Sequence, residues 1–232
     1  MKCWVVELGS IDYQSALDLQ ASLVALRRGS KIPDTLLLLE HPHTYTVGRR
    51  ANLSHLLLSE KEMASRGIRL HAIDRGGEIT YHGPGQLVGY PIMKIAGIPG
   101  VRDYLRGLED VLIKTTSDFS VRTERLPGYP GAWFGLEKIA AIGLRVTRGV
   151  SKHGFALNVS TDLSYFEGII PCGIHDKGVT SLSEILGHVV PISLVQKSVI
   201  KHFAAAFNLD LVHIQKEEIL ELGLQGDRAS AA

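Results

Sequence analysis

The stretch that decides the fold reads Lys138-Ile-Ala-Ala-Ile-Gly-Leu-Arg-Val-Thr147, then Arg148-Gly-Val-Ser151, then Lys152-His-Gly-Phe-Ala-Leu-Asn-Val159. Two β-rich runs around a turn-like, glycine-containing link predict a hairpin. Outward from it, further strands are expected at Cys3–Leu8, Thr35–Glu40, Thr44–Gly48, Leu70–Asp74, Ile79–Tyr81 and Gln86–Met93. Apolar residues recur at helical spacing in Asp12–Arg28, Arg102–Thr116 and Ser193–Phe207, with a shorter helix over Lys216–Leu222 ending at Gly223. Ser193 and Gln196 read as a capping box. Strict β-α-β alternation is missing, which disfavours a doubly wound parallel sheet. The pattern predicts an α+β domain, sandwich-like, with a mixed, largely antiparallel sheet flanked by helices. One domain is expected over residues 1–225, with a disordered tail over 226–232.

Composition narrows the function. The 232 residues carry 25 Lys+Arg against 24 Asp+Glu, a net charge of +1, which argues against holding nucleic acid by bulk charge. The longest uncharged run, Ile79–Met93, is broken by Gly and Pro and is too short for a membrane span of about 20 residues. The opening Met1-Lys-Cys-Trp-Val-Val-Glu7 shows no signal core or presequence, so a cytoplasmic setting is expected, or the mitochondrial matrix for a eukaryotic source. Cys3 and Cys172 are too few for a disulfide scaffold or an iron–sulfur cluster.

Glycine is over-represented at 24 residues, concentrated in Arg75-Gly76-Gly77-Glu78-Ile79-Thr80-Tyr81-His82-Gly83-Pro84-Gly85-Gln86. Gly76-Gly77 permits a tight reversal, and Gly83-Pro84-Gly85 a second bend where backbone can approach a ligand. Two plain hairpin turns around a short strand would look alike. The Arg, Thr, Tyr, His and Gln packed around the bends favour a polar, backbone-lined site. The segment matches neither a phosphate-binding loop nor a dinucleotide fingerprint.

Cys172 lies between Pro171 and Gly173, a bend that can present a thiol; a small core hydrophobe is the equal alternative. Cys3, beside Trp4 and Val5, reads as structural. Lys138 heads an apolar run in which its pKa would fall, although a lysine reaching to water is the commoner outcome. Together, Cys172 and Lys138 would make a nucleophile–base pair. A partner among His82, His153 or His175 stays open, because neighbours in space need not be near in sequence. Cys172-x-x-His175 and His41-Pro-His43 are weak metal signals, and no metal is expected.

In order and spacing, these segments resemble the lipoyl(octanoyl) transferases. The matching pieces are Glu40-His41-Pro42, Tyr45-Thr-Val-Gly48-Arg49-Arg50, Arg75-Gly-Gly-x-x-Thr80-Tyr81-His82-Gly83-Pro84-Gly85-Gln86 through Pro91, Lys138-Ile-Ala-Ala-Ile-Gly143-Leu-Arg145, His153-Gly154-Phe155-Ala156-Leu157-Asn158, Ile170-Pro171-Cys172-Gly173-Ile174 and Val179-Thr180-Ser181-Leu182. They span about residues 4–210, with Leu126–Gly135 a generic linker. The resemblance implies the catalytic-domain fold of biotin and lipoate protein ligases. It implies an acyl-thioester nucleophile at Cys172 and a proton-shuttling Lys138. Substrate would be bound by Arg75, Gly76, Gly77, Glu78, Ile79, Thr80, Tyr81 and His82, by Ala141, Ile142 and Gly143, and by Gly154, Phe155 and Ala156. Apolar residues around the bends would line a tunnel for the acyl chain.

It further implies acyl carrier protein as donor. The expected acceptors are lipoyl domains of 2-oxoacid dehydrogenase complexes and the glycine cleavage H protein. No cofactor, neither ATP nor metal, is expected, because the donor thioester is already activated. Of the basic clusters Arg27-Arg28, Arg49-Arg50, Arg122/Arg125 and Arg145/Arg148/Lys152, the second and fourth lie nearest the motifs and are expected to meet the acidic carrier. Competing readings are an ATP-dependent ligase of the same fold, a cysteine hydrolase and a non-catalytic acyl-binding protein.

Overall fold

The protein is described by a computed structural model covering residues 1–49, 51–95, 98, 100–170 and 177–230, with side chains described through Gly223. The first half of the chain supplies strands β1 (Lys2–Ser10), β2 (Asp34–Glu40), β3 (Thr44–Val47), β4 (Arg69–Ala72), β5 (Ile79–His82) and β6 (Gln86–Ile92). The second half supplies β7 (Glu124–Leu126), β8 (Tyr129–Phe134), β9 (Glu137–Thr147), β10 (Val150–Asn158), β11 (Gly178–Val179) and β12 (Asp210–His213). The helices are α1 (Tyr13–Arg28), α2 (Glu60–Ser65), α3 (Val101–Asp118), α4 (Leu182–Leu186), α5 (Ile192–Phe207) and α6 (Lys216–Ser230).

The large sheet runs β12-β1-β2-β6-β10-β9-β8-β7, with β11 also beside β9; β4-β3-β5 form a small second sheet. Among the described residues of the large sheet, only β1 with β12, β1 with β2 and β11 with β9 are parallel pairs. The mixed, largely antiparallel sheet expected from sequence is therefore present. The deciding hairpin forms from β9 and β10 with only two loop residues, Arg148 (φ 49°) and Gly149 (φ 81°), two fewer than the predicted turn. Positive φ at both positions matches the twist of the flanking strands.

Leu36-Leu37-Leu38-Leu39 of β2 shows why the sheet is covered on both faces. Leu36 and Leu38 pack with Leu108, Val111 and Leu112 of α3 and with Val199 and Phe203 of α5. Leu37 and Leu39 pack with Leu19 and Leu23 of α1 and Ile219 of α6. Alternate residues of a strand face opposite sides, so an unbroken apolar run needs a core on each. The small sheet has its own core of Tyr45, Ile79, Tyr81, Met63, Phe166 and Ile169.

Several local expectations change. Helix α5 starts at Ile192 behind Pro191, and no side chain caps it. Ser193 is already inside the helix, where it cannot act as the cap. A true capping box forms at Ser59 and Glu62 of α2. Leu126–Gly135 is not a linker: β8 lies there and pairs with β9, its strand signal masked by Pro127, Gly128, Pro130 and Gly131. Helix α6 continues past Gly223 to Ser230. Gly223 is no stop signal; a Cβ there would come 2.7 Å from Leu19 Cδ1, so the glycine serves close packing of α6 on α1.

Candidate active site

A cleft of about 440 Å³ opens between β5 of the small sheet and the β9–β10 hairpin of the large one. Of the expected binding residues, Arg75, Gly76, Gly77, Glu78, Thr80 and His82 form one wall. Ala141, Ile142 and Gly143 of β9, with Gly154, Phe155 and Ala156 of β10, form the opposite wall. Tyr13, Tyr90, Leu105 and Tyr129 also line it, and the sequence placed none of them in a binding site. Ile79 and Tyr81 do not belong to this cleft. Strand alternation turns them into the small-sheet core, where both are fully buried.

The Arg75–Glu78 segment is held by backbone. Gly48 N–H donates to Glu78 O at 3.1 Å, Arg49 N–H to Arg75 O at 3.2 Å, and Gly76 N–H to Leu144 O at 3.2 Å. Gly77 takes φ +91°, open to glycine at little cost. The buried Arg75 guanidinium donates to Thr46 O (3.0 Å), Thr46 Oγ1 (2.8 Å) and Gly76 O (3.0 Å). A Cβ on Gly143 would lie 2.9 Å from Arg75 Cδ, so glycine there makes room for the arginine. The second bend is held by protein contacts. Gly85 N–H donates to the Glu40 carboxylate at 2.7 Å, and a Cβ on Gly85 would meet Ser160 O at 2.5 Å. Gly83 and Gly85 pack closely on Tyr81 and Ser160, while Pro84 between them is exposed.

Hydrogen bonding fixes the state of the histidines. Gln86 Nε2 donates to Tyr81 O (3.1 Å) and Asn158 Oδ1 (2.9 Å), while Asn158 Nδ2 donates to Thr180 O (2.9 Å). Both amides are oriented by backbone carbonyls, which only accept. Gln86 Oε1 therefore faces His82 Nδ1 at 2.8 Å as acceptor, and His82 carries its proton on Nδ1. Burial pushes the His82 pKa down to about 3. His41 donates from Nδ1 to Ile11 O (2.8 Å) and accepts at Nε2 from Tyr90 (2.7 Å); burial brings it to about 4.

His153, in a left-handed conformation (φ 58°), places Nε2 2.7 Å from Asp74 Oδ1. Burial lowers its pKa to about 4 against the opposing pull of Asp74. Burial works to raise the Asp74 carboxyl, but hydrogen bonds from Lys152 and His153 outweigh it and hold the group at about 2. Asp74 also accepts Lys152 Nζ at 2.6 Å and Arg145 Nη1 at 2.9 Å. Within the basic cluster Arg145/Arg148/Lys152, Asp74 thus engages Arg145 and Lys152 with a single negative charge, so the cluster stays net positive, and Arg148 is exposed. Arg27 pairs with Asp34, and Arg125 with Glu109 and Asp110; Arg49 is exposed, while Arg50 lies outside the described residues.

Lys138 stands where the cleft meets a smaller cavity of about 30 Å³ that Trp133, Asn158 and Lys177 also line. Its Nζ sits 4.8 Å from the centroid of the Trp133 ring. Cys172 and His175 lie outside the described residues. The chain is described again at Lys177, whose successors Gly178 and Val179 pair with Glu137 and Lys138; Thr180 N–H donates to Lys138 O at 3.1 Å. On the other side, Ile170 N–H donates to His55 O at 2.8 Å, and His55 Nδ1 lies 2.6 Å from Glu78. Cys3 is fully buried, with burial pushing its thiol up to about 12, as suits a structural residue. His41 and His43 part company: His43 stacks on Tyr165 at 4.1 Å.

Residues 12–204 match the family model of the lipoyl protein ligase A/B catalytic domain. An octanoyltransferase of Alkaliphilus metalliredigens is 47% identical over 210 residues, covering 90% of this chain and 96% of that protein. One of Desulforamulus reducens is 43% identical, covering 96% and 98%. Among solved structures, lipoate-protein ligase A bound with ATP superposes at TM-score 0.79 with 17% identity, covering 97% of this chain and 94% of that one. A putative lipoate protein ligase from T. acidophilum with bound lipoic acid gives 0.76 at 16% identity, covering 97% and 94%. At that identity the likeness is one of fold.

Proposed function

Because the chain belongs to the lipoyl protein ligase A/B catalytic-domain family, within its octanoyltransferases, we propose that it moves an octanoyl group from acyl carrier protein to a lysine of a lipoyl domain. The observation that carries this reading is the placement of Lys138 at the junction of an acyl-sized, mostly apolar-walled cleft with a smaller cavity that Trp133, Asn158 and Lys177 also line.

In the first half-reaction the Cys172 S–H proton passes to the Lys138 amine, and the thiolate attacks the donor thioester carbonyl. The bond to the donor sulfur breaks, and the departing thiolate takes the proton back from Lys138. Backbone N–H groups near Gly77 or Cys172–Gly173 stabilise the oxyanion. In the second, the acceptor lysine attacks the Cys172 thioester, forms an amide and gives up a proton, while the cysteine recovers its own. An amide is far less reactive than a thioester, so the transfer runs forward without ATP or metal. Lipoyl domains of 2-oxoacid dehydrogenase complexes and the glycine cleavage H protein are the acceptors.

Intact-mass measurement after mixing with octanoyl-acyl carrier protein tests the scheme. The wild type is expected to gain one octanoyl group that hydroxylamine removes, Cys172→Ser none, and Lys138→Ala only a slowly formed trace. No adduct on the wild type, or an undiminished one on Cys172→Ser, overturns it. Transfer onto an apo lipoyl domain without ATP separates it from the ligase reading. Release of free octanoate instead would mark a hydrolase.

A further inference from the structure

Trp133 was not singled out by the sequence and has no part in the scheme above, yet its position is specified in three ways. It is 1% exposed in β8. Its Nε1–H donates to Tyr129 O at 3.0 Å, and Tyr129 meets the indole edge-on at 5.9 Å, so the ring plane is fixed. Its face lies under Lys138 Nζ at 4.8 Å.

The face-on placement under Lys138 follows from a change of strand register. Ala132 pairs with Ala140, but the next residue, Trp133, pairs with Lys138 and skips Ile139. With strict alternation, Lys138 would share the side of Ala140, two residues on. The extra residue breaks that parity and sets Lys138 directly opposite Trp133. Bulges of this kind re-aim side chains beside active sites.

We propose that Trp133 is the positioning residue for Lys138: its ring face holds the ammonium that forms when Lys138 takes the Cys172 proton, at the junction of the two cavities. The indole touches no reacting atom. An aromatic face attracts the ammonium and not the neutral amine, so the contact strengthens as the proton arrives. This inference rests on the reading of Lys138 as proton carrier.

The test is steady-state octanoyl transfer by Trp133→Leu, the bulkier Trp133→Met, and Trp133→Phe, each also made in a Lys138→Ala background. Loss of the aromatic face is expected to lower kcat about tenfold while KM for the octanoyl donor stays within about twofold. Trp133→Phe, which keeps a ring, recovers most of the rate. In the Lys138→Ala background the same substitutions change the residual rate by less than about twofold, because the partner they act through is gone. Thermal melts identify any variant that fails to fold, and Trp133→Phe against Trp133→Met then decides the matter at similar bulk. Equal losses with and without Lys138, a loss carried by KM, or wild-type kcat in folded Trp133→Met overturns the proposal. A Lys138→Ala enzyme with full activity would instead remove the reading beneath it.

Discussion

Three buried imidazoles beside or below the cleft, His41, His82 and His153, are all held neutral by burial. In the unfolded chain they titrate near the ordinary value of 6.5. As pH falls below that, the unfolded state binds protons that the folded state refuses, so stability drops down to about pH 4. Asp74 has the same sign lower down: its depressed carboxyl contributes stability above about 3.8 that is lost towards pH 2. Urea unfolding between pH 7 and 4 is expected to show a falling midpoint; a flat profile contradicts the assignment. These residues also mark how far sequence could reach. His82 and Lys138 were identifiable from the motifs around them. The Asp74 partnership of His153 and the Gln86–Asn158 relay were not, because both join residues more than seventy positions apart.

At the scale of elements, the β9–β10 hairpin was plain in sequence because β-rich runs flanked a glycine turn. β8 was not, since Pro and Gly in Pro127–Gly131 are ordinary breakers and only pairing with β9 overrides them. Membership of the cleft followed the same division. The glycine segment located its wall, and within Arg75–His82 the two-residue period turns the Ile79 and Tyr81 side chains into the small-sheet core. Gly143 tests the packing between elements. In Gly143→Ala, the new methyl presses on Arg75 Cδ, whose guanidinium is tied to Thr46. Overpacking of this kind costs about 1–3 kcal/mol, and Arg75, the side chain pressed, lines the cleft. A lower urea midpoint together with a raised KM for the octanoyl donor is expected; wild-type values for both would mean the arginine has room to spare.

For the whole molecule, the four-leucine run of β2 forced a sheet covered on both faces, and the helix assignments α1, α3 and α5 supplied the covers. The second, small sheet was invisible as a unit: its strands read like the others, and nothing in a single strand states which sheet it joins. Among the described residues no helix is long and apolar enough to cross a membrane. One bond matters at this scale. The chain passes from small sheet to large between His82 and Gln86, and the Glu40 carboxylate at the end of β2 holds that passage through Gly85 N–H. Glu40→Ala is expected to leave the fold intact but to blunt discrimination between octanoyl and longer acyl donors, measured as the ratio of their kcat/KM values. An unchanged ratio would show that the two sheets keep their spacing without it.

The cleft is bounded by strands of two different sheets, so its width is a distance between bodies rather than the bore of one. A pore inside a single sheet can be altered only residue by residue. A gap between sheets can be reset at its fastenings, and the Glu40 bond to the glycine bend is one of them, beside the Asp74 contacts with Arg145, Lys152 and His153 and the Gly76–Leu144 hydrogen bond. Chain-length preference in this protein is then a joinery problem: whoever wishes to change the acyl group it accepts should work on the hinge as well as on the lining.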